Sequence, residues 1–251
     1  MITFDILTLF PEMFSGMLNS SILKRAIQNG LIKVNLIDFR LYSTNKHHTV
    51  DDYAYGGGAG MLISVEPIHL ALQTIENLSS AKVLLTSPSG TTFTQRKAEE
   101  LSKESHIVII CGHYEGIDAR IENYIDEEIS IGDYVLTGGE TPAMIIIDAV
   151  SRLVGGVIST DSTECETFNN GLLEYPQYTR PKTYDGYEVP EVLLSGHHLN
   201  ISKWRLKESL KKTYLKRPDL LKEANLTPAD QKLLQEVIEE IKRGENKNES
   251  N

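Results

Sequence analysis

Three short glycine-bearing segments carry the residue types best suited to chemistry in this chain: TSPSG at 86–90, CGHYEG at 111–116 and SIGDYVLTGGE at 130–140. Each follows a run of β-branched and apolar residues that reads as a strand. In open α/β sheets a ligand sits beyond the carboxyl ends of the strands, and glycines there let backbone amides and carbonyls approach it closely. Together the three loops could wrap one cofactor; each alone could be no more than a tight turn. A fourth segment, DDYAYGGGAGM at 51–61, differs in kind. Met61 occupies the last glycine position of a G-x-G-x-x-G frame starting at Gly56, and no Lys-Ser/Thr follows, so neither a dinucleotide fingerprint nor a P-loop is present. A flexible loop holding Asp51, Asp52, Tyr53 and Tyr55 could instead close over a base with tyrosine as a stacking face, or serve simply as a hinge. His47-His48 and His197-His198 are poor metal pairs, because adjacent side chains diverge. No HExxH, GxSxG or paired Cys-x-x-Cys occurs.

These loops need a frame, and the first half of the chain supplies the rhythm of βαβ units and a largely parallel sheet. ITFDILTLF, IKVNLIDF, AKVLLTS and HIVIICG read as strands, and DEEISIGDYVL as strand with loop. PEMFSGMLNSSILKRAIQNG, VEPIHLALQTIEN, TQRKAEELSK with Thr94 as N-cap, IDARIENY and ETPAMIIIDAVSRLV read as helices. Periodicity vanishes from Gly155 to about Tyr178. Beyond it come only helical patterns, ISKWRLKESLKKTYLKR and TPADQKLLQEVIEEIKR, the latter with Thr227 as cap and Pro228 in the first turn. The expected organisation is an α/β domain over 1–160, a linker over 161–175, a small helical domain over 176–246 and a frayed tail over 247–251.

The 251 residues carry a net charge of -10, which on its face argues against nucleic acid. Distribution matters more than the sum: from Pro176 to Arg217 nine basic side chains stand against four acidic ones. Two cysteines, Cys111 and Cys165, make neither a disulfide framework nor a metal cluster. The N-terminus lacks a basic n-region and meets Asp5, Pro11 and Glu12 too early for a signal peptide, and no apolar run is long enough to span a bilayer. A cytoplasmic protein without membrane attachment is expected.

DDYAYGGGAGM, SPSG, CGHYEGIDAR, DEEISIGDYVLTGGETPAMIIIDAVSR, GLLEYPQYTRP and VPEVLLSGHH followed by RLKESL resemble, in order and over most of the chain, the bacterial tRNA (guanine-N1)-methyltransferases of the SPOUT superfamily. The resemblance implies an α/β fold whose parallel sheet carries a deep trefoil knot, a feature that periodicity could not reveal. It implies S-adenosyl-L-methionine held by Leu85, Thr86, Ser87 and Pro88, by Gly112, Tyr114, Glu115 and Gly116, and by Ile131, Gly132, Asp133, Tyr134, Val135 and Leu136, with Gly138, Gly139 and Pro142 alongside. It further implies a homodimer with active sites shared between subunits, tRNA as partner, and methylation of N1 of the guanosine immediately 3′ of the anticodon.

That reaction needs a base to remove the N1 proton and a cation to receive charge building on O6. By resemblance the cation is Arg152. For the base, the family shows an Asp where this chain reads Glu166-Thr167-Phe168; Glu166 keeps the carboxylate on an arm one methylene longer, and Asp161 and Glu164 are alternatives on the same stretch. Ala54 replaces a family proline. Asp51, Tyr55 and Gly57 would face the RNA, and Arg180, Lys203, Arg205 and Lys207 would meet phosphates, with Trp204 and Tyr214 packing the basic helix. The family is also associated with Mg²⁺, for which no dedicated oxygen cage is readable. Two other functions fit the same residues: a SPOUT enzyme acting on another RNA, and a non-catalytic RNA-binding relative.

Overall fold

The computed structural model describes residues 1–158 and 171–248. The chain forms two compact units, 1–160 and 161–251. The first is built on five parallel strands: β1 (Ile2–Thr8), β2 (Ile32–Asp38), β3 (Lys82–Thr92), β4 (His106–Cys111) and β5 (Glu127–Ser130), in the order β2-β1-β4-β3-β5. Its helices are α1 (Ser21–Gln28), α2 (Val65–Gln73), α3 (Gln95–Leu101) and α4 (Glu140–Ser151).

The strands are nearly continuous apolar runs because both faces are covered. Phe4 and Ile6 of β1, Ile107 and Ile109 of β4 and Leu84 of β3 pack on one face against Leu23 of α1, Leu101 of α3, and Ile146, Ile147 and Val150 of α4. The alternate residues Leu7, Val108, Ile110, Val83 and Leu85 pack on the other face against Ile68, Ala71 and Leu72 of α2.

The first expected helix is broken. A 3-10 turn over Pro11–Phe14 and a single helical turn over Ser15–Leu18 precede α1. The polar run Asn19-Ser20-Ser21 ends that first turn: Asn19 Nδ2 donates to the Ser15 carbonyl at 2.9 Å, and Ser21 adopts φ +48°. IDARIENY forms a 3-10 helix over Ala119–Tyr124, with the Asp118 carboxylate accepting from the Arg120 amide. Thr94 caps α3 as expected, its hydroxyl accepting from the Lys97 amide. β3 is longer than anticipated, since Thr86 and Thr91 both register with Ile129 of β5, so residues 87–90 bulge out between two stretches of ladder.

In the second unit, α5 (His198–Lys216) and α6 (Pro228–Asn248) contribute Leu210 and Leu233 to a small core with Leu172, Leu206 and Leu221. Thr227 and Asp230 exchange hydrogen bonds around Pro228, a capping box that starts α6. That helix runs to Asn248, two residues into the expected tail. Two-residue strands, Thr183–Tyr184 and Tyr187–Glu188, form a hairpin ahead of the single-turn helix Glu191–Leu194.

Candidate active site

β4, β3 and β5 are adjacent and parallel, so their carboxyl ends lie side by side at one edge of the sheet. The three glycine-bearing loops leave from that edge and enclose a cavity of about 430 Å³, within the range of small-molecule sites. Of the residues assigned to the cofactor, Leu85, Thr86, Ser87, Pro88, Gly112, Tyr114, Glu115, Gly116, Ile131, Gly132, Tyr134, Val135, Leu136, Gly138, Gly139 and Pro142 all line it. Asp133 is exposed and is not among the lining residues.

Backbone contacts fix the loops against one another. The Gly139 amide donates to the Gly112 carbonyl at 2.7 Å, and the Thr86 hydroxyl donates to the Ile110 carbonyl at 3.1 Å. A Cβ at Gly139 would fall 2.1 Å from the Thr86 hydroxyl oxygen and 2.7 Å from the Gly112 nitrogen, so only glycine lets the three loops close up. Tyr114 holds φ +59°, a conformation costing a side-chain-bearing residue about 1 kcal/mol or more.

The Ser87 and Ser89 hydroxyls lie 2.7 Å apart, and Ser89 donates to the Glu128 carboxylate at 2.8 Å. Glu115, Glu122 and Glu128 make the polar side of the cavity acidic; Leu85, Ile117, Ile121, Val135 and Leu136 supply its apolar walls. An apolar slot, an exposed row of backbone and nearby carboxyl groups suit a ligand with a flat heterocycle, hydroxyls and positive charge. Burial, and secondarily the nearby Glu140 carboxyl, pushes the Cys111 thiol well above its ordinary pKa, so it carries no thiolate chemistry.

The sequence reading missed His113, Ser89 and Glu128 as lining residues. His113 stood inside a quoted motif. Ser89 and Glu128 stood inside such motifs too, but their meeting at the cavity follows from the pairing of β3 with β5, which no local pattern encodes.

The assigned cation does not lie at this cavity in its own chain. Arg152 follows the last turn of α4, whereas Gly139 precedes the first, and the helix's 12 residues span about 18 Å. Glu166, with Asp161 and Glu164, falls outside the described residues.

The residues assigned to RNA divide between the units. Asp51 pairs with Ile63 in a two-residue ladder, Asp51–Asp52 with Leu62–Ile63, and Tyr55 and Gly57 stand exposed on the loop between. The end of that loop is bonded to the CGHYEG loop: the Glu115 amide donates to the Met61 carbonyl at 3.2 Å, Ile63 to Gly116 at 2.9 Å, and Asp118 to Ile63 at 2.9 Å. In the second unit, Arg180 and Lys203 are exposed, Arg205 lies 4.9 Å over the Tyr175 ring, and Lys207 pairs with Glu240 at 2.7 Å. Trp204 faces the Tyr178 ring with centroids 6.4 Å apart. The paired histidines, His47 and His48 in a loop and His197 and His198 at the start of α5, are exposed. Among the described residues no three His, Cys, Asp or Glu gather to hold a metal, and no helix is long and apolar enough to cross a membrane.

Comparison with known proteins supplies a family context. The model of the tRNA (Guanine-1)-methyltransferase TrmD family matches residues 2–223. A tRNA (guanine-N(1)-)-methyltransferase of Dictyoglomus turgidum is 53% identical over 243 residues, covering 96% of this chain and 99% of the relative. The protein of the same name from Halalkalibacterium halodurans is 54% identical over 237 residues, 93% of this chain and 96% of the relative. That from Staphylococcus aureus is 51% identical over 242 residues, with coverage of 96% and 99%.

Proposed function

The chain belongs to the tRNA (guanine-1)-methyltransferase family, and on that footing we propose that it transfers a methyl group from S-adenosyl-L-methionine to N1 of the guanosine immediately 3′ of the anticodon in tRNA. The observation that carries this reading is the convergence of the three strand-tip loops on one cavity of suitable size and chemistry. When bound, S-adenosyl-L-methionine supplies an electrophilic methyl group. The residues around it bind and orient: backbone of Leu85–Pro88, Gly112–Gly116 and Ile131–Leu136 grips the donor, and the apolar walls keep water from it. A deep trefoil knot, implied by the family and in keeping with the close interlock of Thr86, Gly112 and Gly139, would fix these loops more firmly than a simple turn could.

Guanine N1 carries a proton near neutral pH, so the reaction needs a carboxylate to accept it, and we assign that role to Glu166. Arg152 receives the charge developing on O6 through its planar donor fork. The length of α4 between the cavity and Arg152 supports a homodimer in which a second copy completes each site. Asp51, Tyr55 and Gly57 form the loop that covers the target base, while Arg180, Lys203, Arg205 and Lys207 meet phosphates, Lys207 with donors left over from its pairing with Glu240. The reading places the enzyme in the cytoplasm, with its substrate. Magnesium dependence is expected from the family and is measured by chelator titration in the same assay.

Purified protein with S-adenosyl-L-methionine and a tRNA bearing that guanosine yields 1-methylguanosine by nucleoside mass spectrometry, and a tRNA lacking it yields none. Absence of product from both tRNAs sinks the reading. Arg152→Ala and Glu166→Gln each abolish turnover while donor binding persists, and mixed dimers of Arg152→Ala with the donor-binding lesion Gly139→Ala regain activity; mixtures that stay inactive exclude a site to which the partner brings Arg152.

A further inference from the structure

Glu140, at the first position of α4, is the most buried carboxyl group among the described residues, with 1% exposure. Removing a carboxyl group from water is costly unless it is well compensated. Asp5, next in burial, is met by Asn35 and His106 on the neighbouring strands. Glu140 has no ion-pair partner among the described residues. It receives a 2.8 Å hydrogen bond from the buried Thr8 hydroxyl and benefits from the positive end of the helix dipole. A glutamate in an exposed first turn would gain the same dipole interaction without the burial, so helix stability alone does not explain its placement.

The surroundings of Glu140 form a closed circuit around Gly138. Thr8 Oγ1 donates to Glu140 Oε1 and accepts from the Phe10 amide at 2.9 Å. The Phe10 ring faces the His113 ring at 5.0 Å. His113 and Glu140 both crowd Gly138, where an added Cβ would lie 2.7 Å from His113 Cδ2 and 2.5 Å from Glu140 Oε2. The circuit therefore joins the end of β1 to two of the three loops that wall the cavity, and His113 and Gly138 themselves line it.

We propose that Glu140 is a positioning residue for methyl-donor binding: through Thr8, its carboxyl group sets the distance between the CGHYEG and TGGE loops and so the width of the donor cavity. The proposal rests on the reading of that cavity as the donor site. The property at work is the length and direction of the side chain.

The test measures S-adenosylhomocysteine affinity by titration calorimetry alongside the thermal midpoint of the unliganded protein. Replacing both partners with apolar groups of similar shape, Thr8→Val with Glu140→Met, removes the Thr8–Glu140 pair at little cost and lowers the thermal midpoint by only a few degrees, through the Phe10 amide that loses its acceptor. The same double variant weakens S-adenosylhomocysteine about 10-fold, the scale expected when a pocket wall is misplaced. In turnover, KM for the donor rises while kcat at saturating donor stays within about 2-fold, since the reacting groups are untouched. A folded double variant with wild-type affinity overturns the proposal. If that variant does not fold, two milder ones decide: Glu140→Gln, which keeps length and acceptor, binds as wild type, whereas Glu140→Asp, which keeps the acid but shortens the arm, binds more weakly. Equal affinities for Gln and Asp overturn it. Should wild type bind no S-adenosylhomocysteine and make no 1-methylguanosine, the functional reading falls and takes this proposal with it; wild-type binding and turnover with unaltered variants removes this proposal alone.

Discussion

A Cβ added at Gly139 would come within 2.1 Å of the Thr86 hydroxyl and 2.7 Å of the Gly112 nitrogen, whereas at Gly56, Gly57 or Gly58 it would meet nothing within 4 Å. The two regions spend glycine on different needs. At the strand tips the residue makes room, because three chain segments pass closer together than side chains allow. In the loop between Tyr53 and Gly60 it provides backbone angles, with φ of +80° at Gly57 in open space. Glycine-rich text in a sequence thus covers two physical demands, one for volume and one for conformation, and only the first ties distant parts of the chain together.

Substitution separates the two. Gly139→Ala carries the largest effect: overpacking against backbone costs about 3 kcal/mol in urea unfolding, and S-adenosylhomocysteine binding by calorimetry is lost. Gly57→Ala costs about 1–2 kcal/mol, because left-handed backbone is disfavoured but no neighbour must move. Donor affinity should then match wild type while tRNA turnover falls; a loss of donor affinity at Gly57 equal to that at Gly139 would break the distinction.

The smallest effect concerns the seam between the regions. The Arg120 guanidinium beside Asp118 holds that carboxyl at about 2, below its ordinary value. A depressed folded-state value means the pair contributes fully above about pH 4, and the contribution is lost as pH falls toward 2. Arg120→Ala raises the Asp118 titration midpoint seen by NMR and moves acid unfolding to higher pH. Because the Arg120 side chain is 69% exposed, the displacement is small and shrinks in high salt.

Much of this was legible in the residues. Runs such as HIVIICG announced buried strands by their β-branched density, and Thr94 and Thr227 announced helix starts by chemistry confined to one turn. Long-range facts were not. Strands buried on both faces lack the alternation that fixes register, so the order β2-β1-β4-β3-β5 and the double pairing of β3 with Ile129 had no local signature. For the same reason Glu128 went unnoticed beside Ser89. Pro11 to Gly30 read as one helix because its apolar spacing was sustained, yet three polar residues in a row were enough to split it. Arg152 carried the right chemistry in the sequence, but only the length of α4 reveals how far it stands from the cavity of its own chain.

The Asp51–Asp52 and Leu62–Ile63 ladder sets both feet of the intervening loop on one small platform, itself bolted to the CGHYEG loop. The residues the loop carries, Tyr53 and Tyr55 to Gly60, are exposed. Shortening or lengthening it between Tyr53 and Gly60 should therefore leave the melting temperature almost where it was, since ring closure depends only weakly on the number of residues enclosed. Changing a single residue of the platform should be felt at once by whatever occupies the neighbouring cavity.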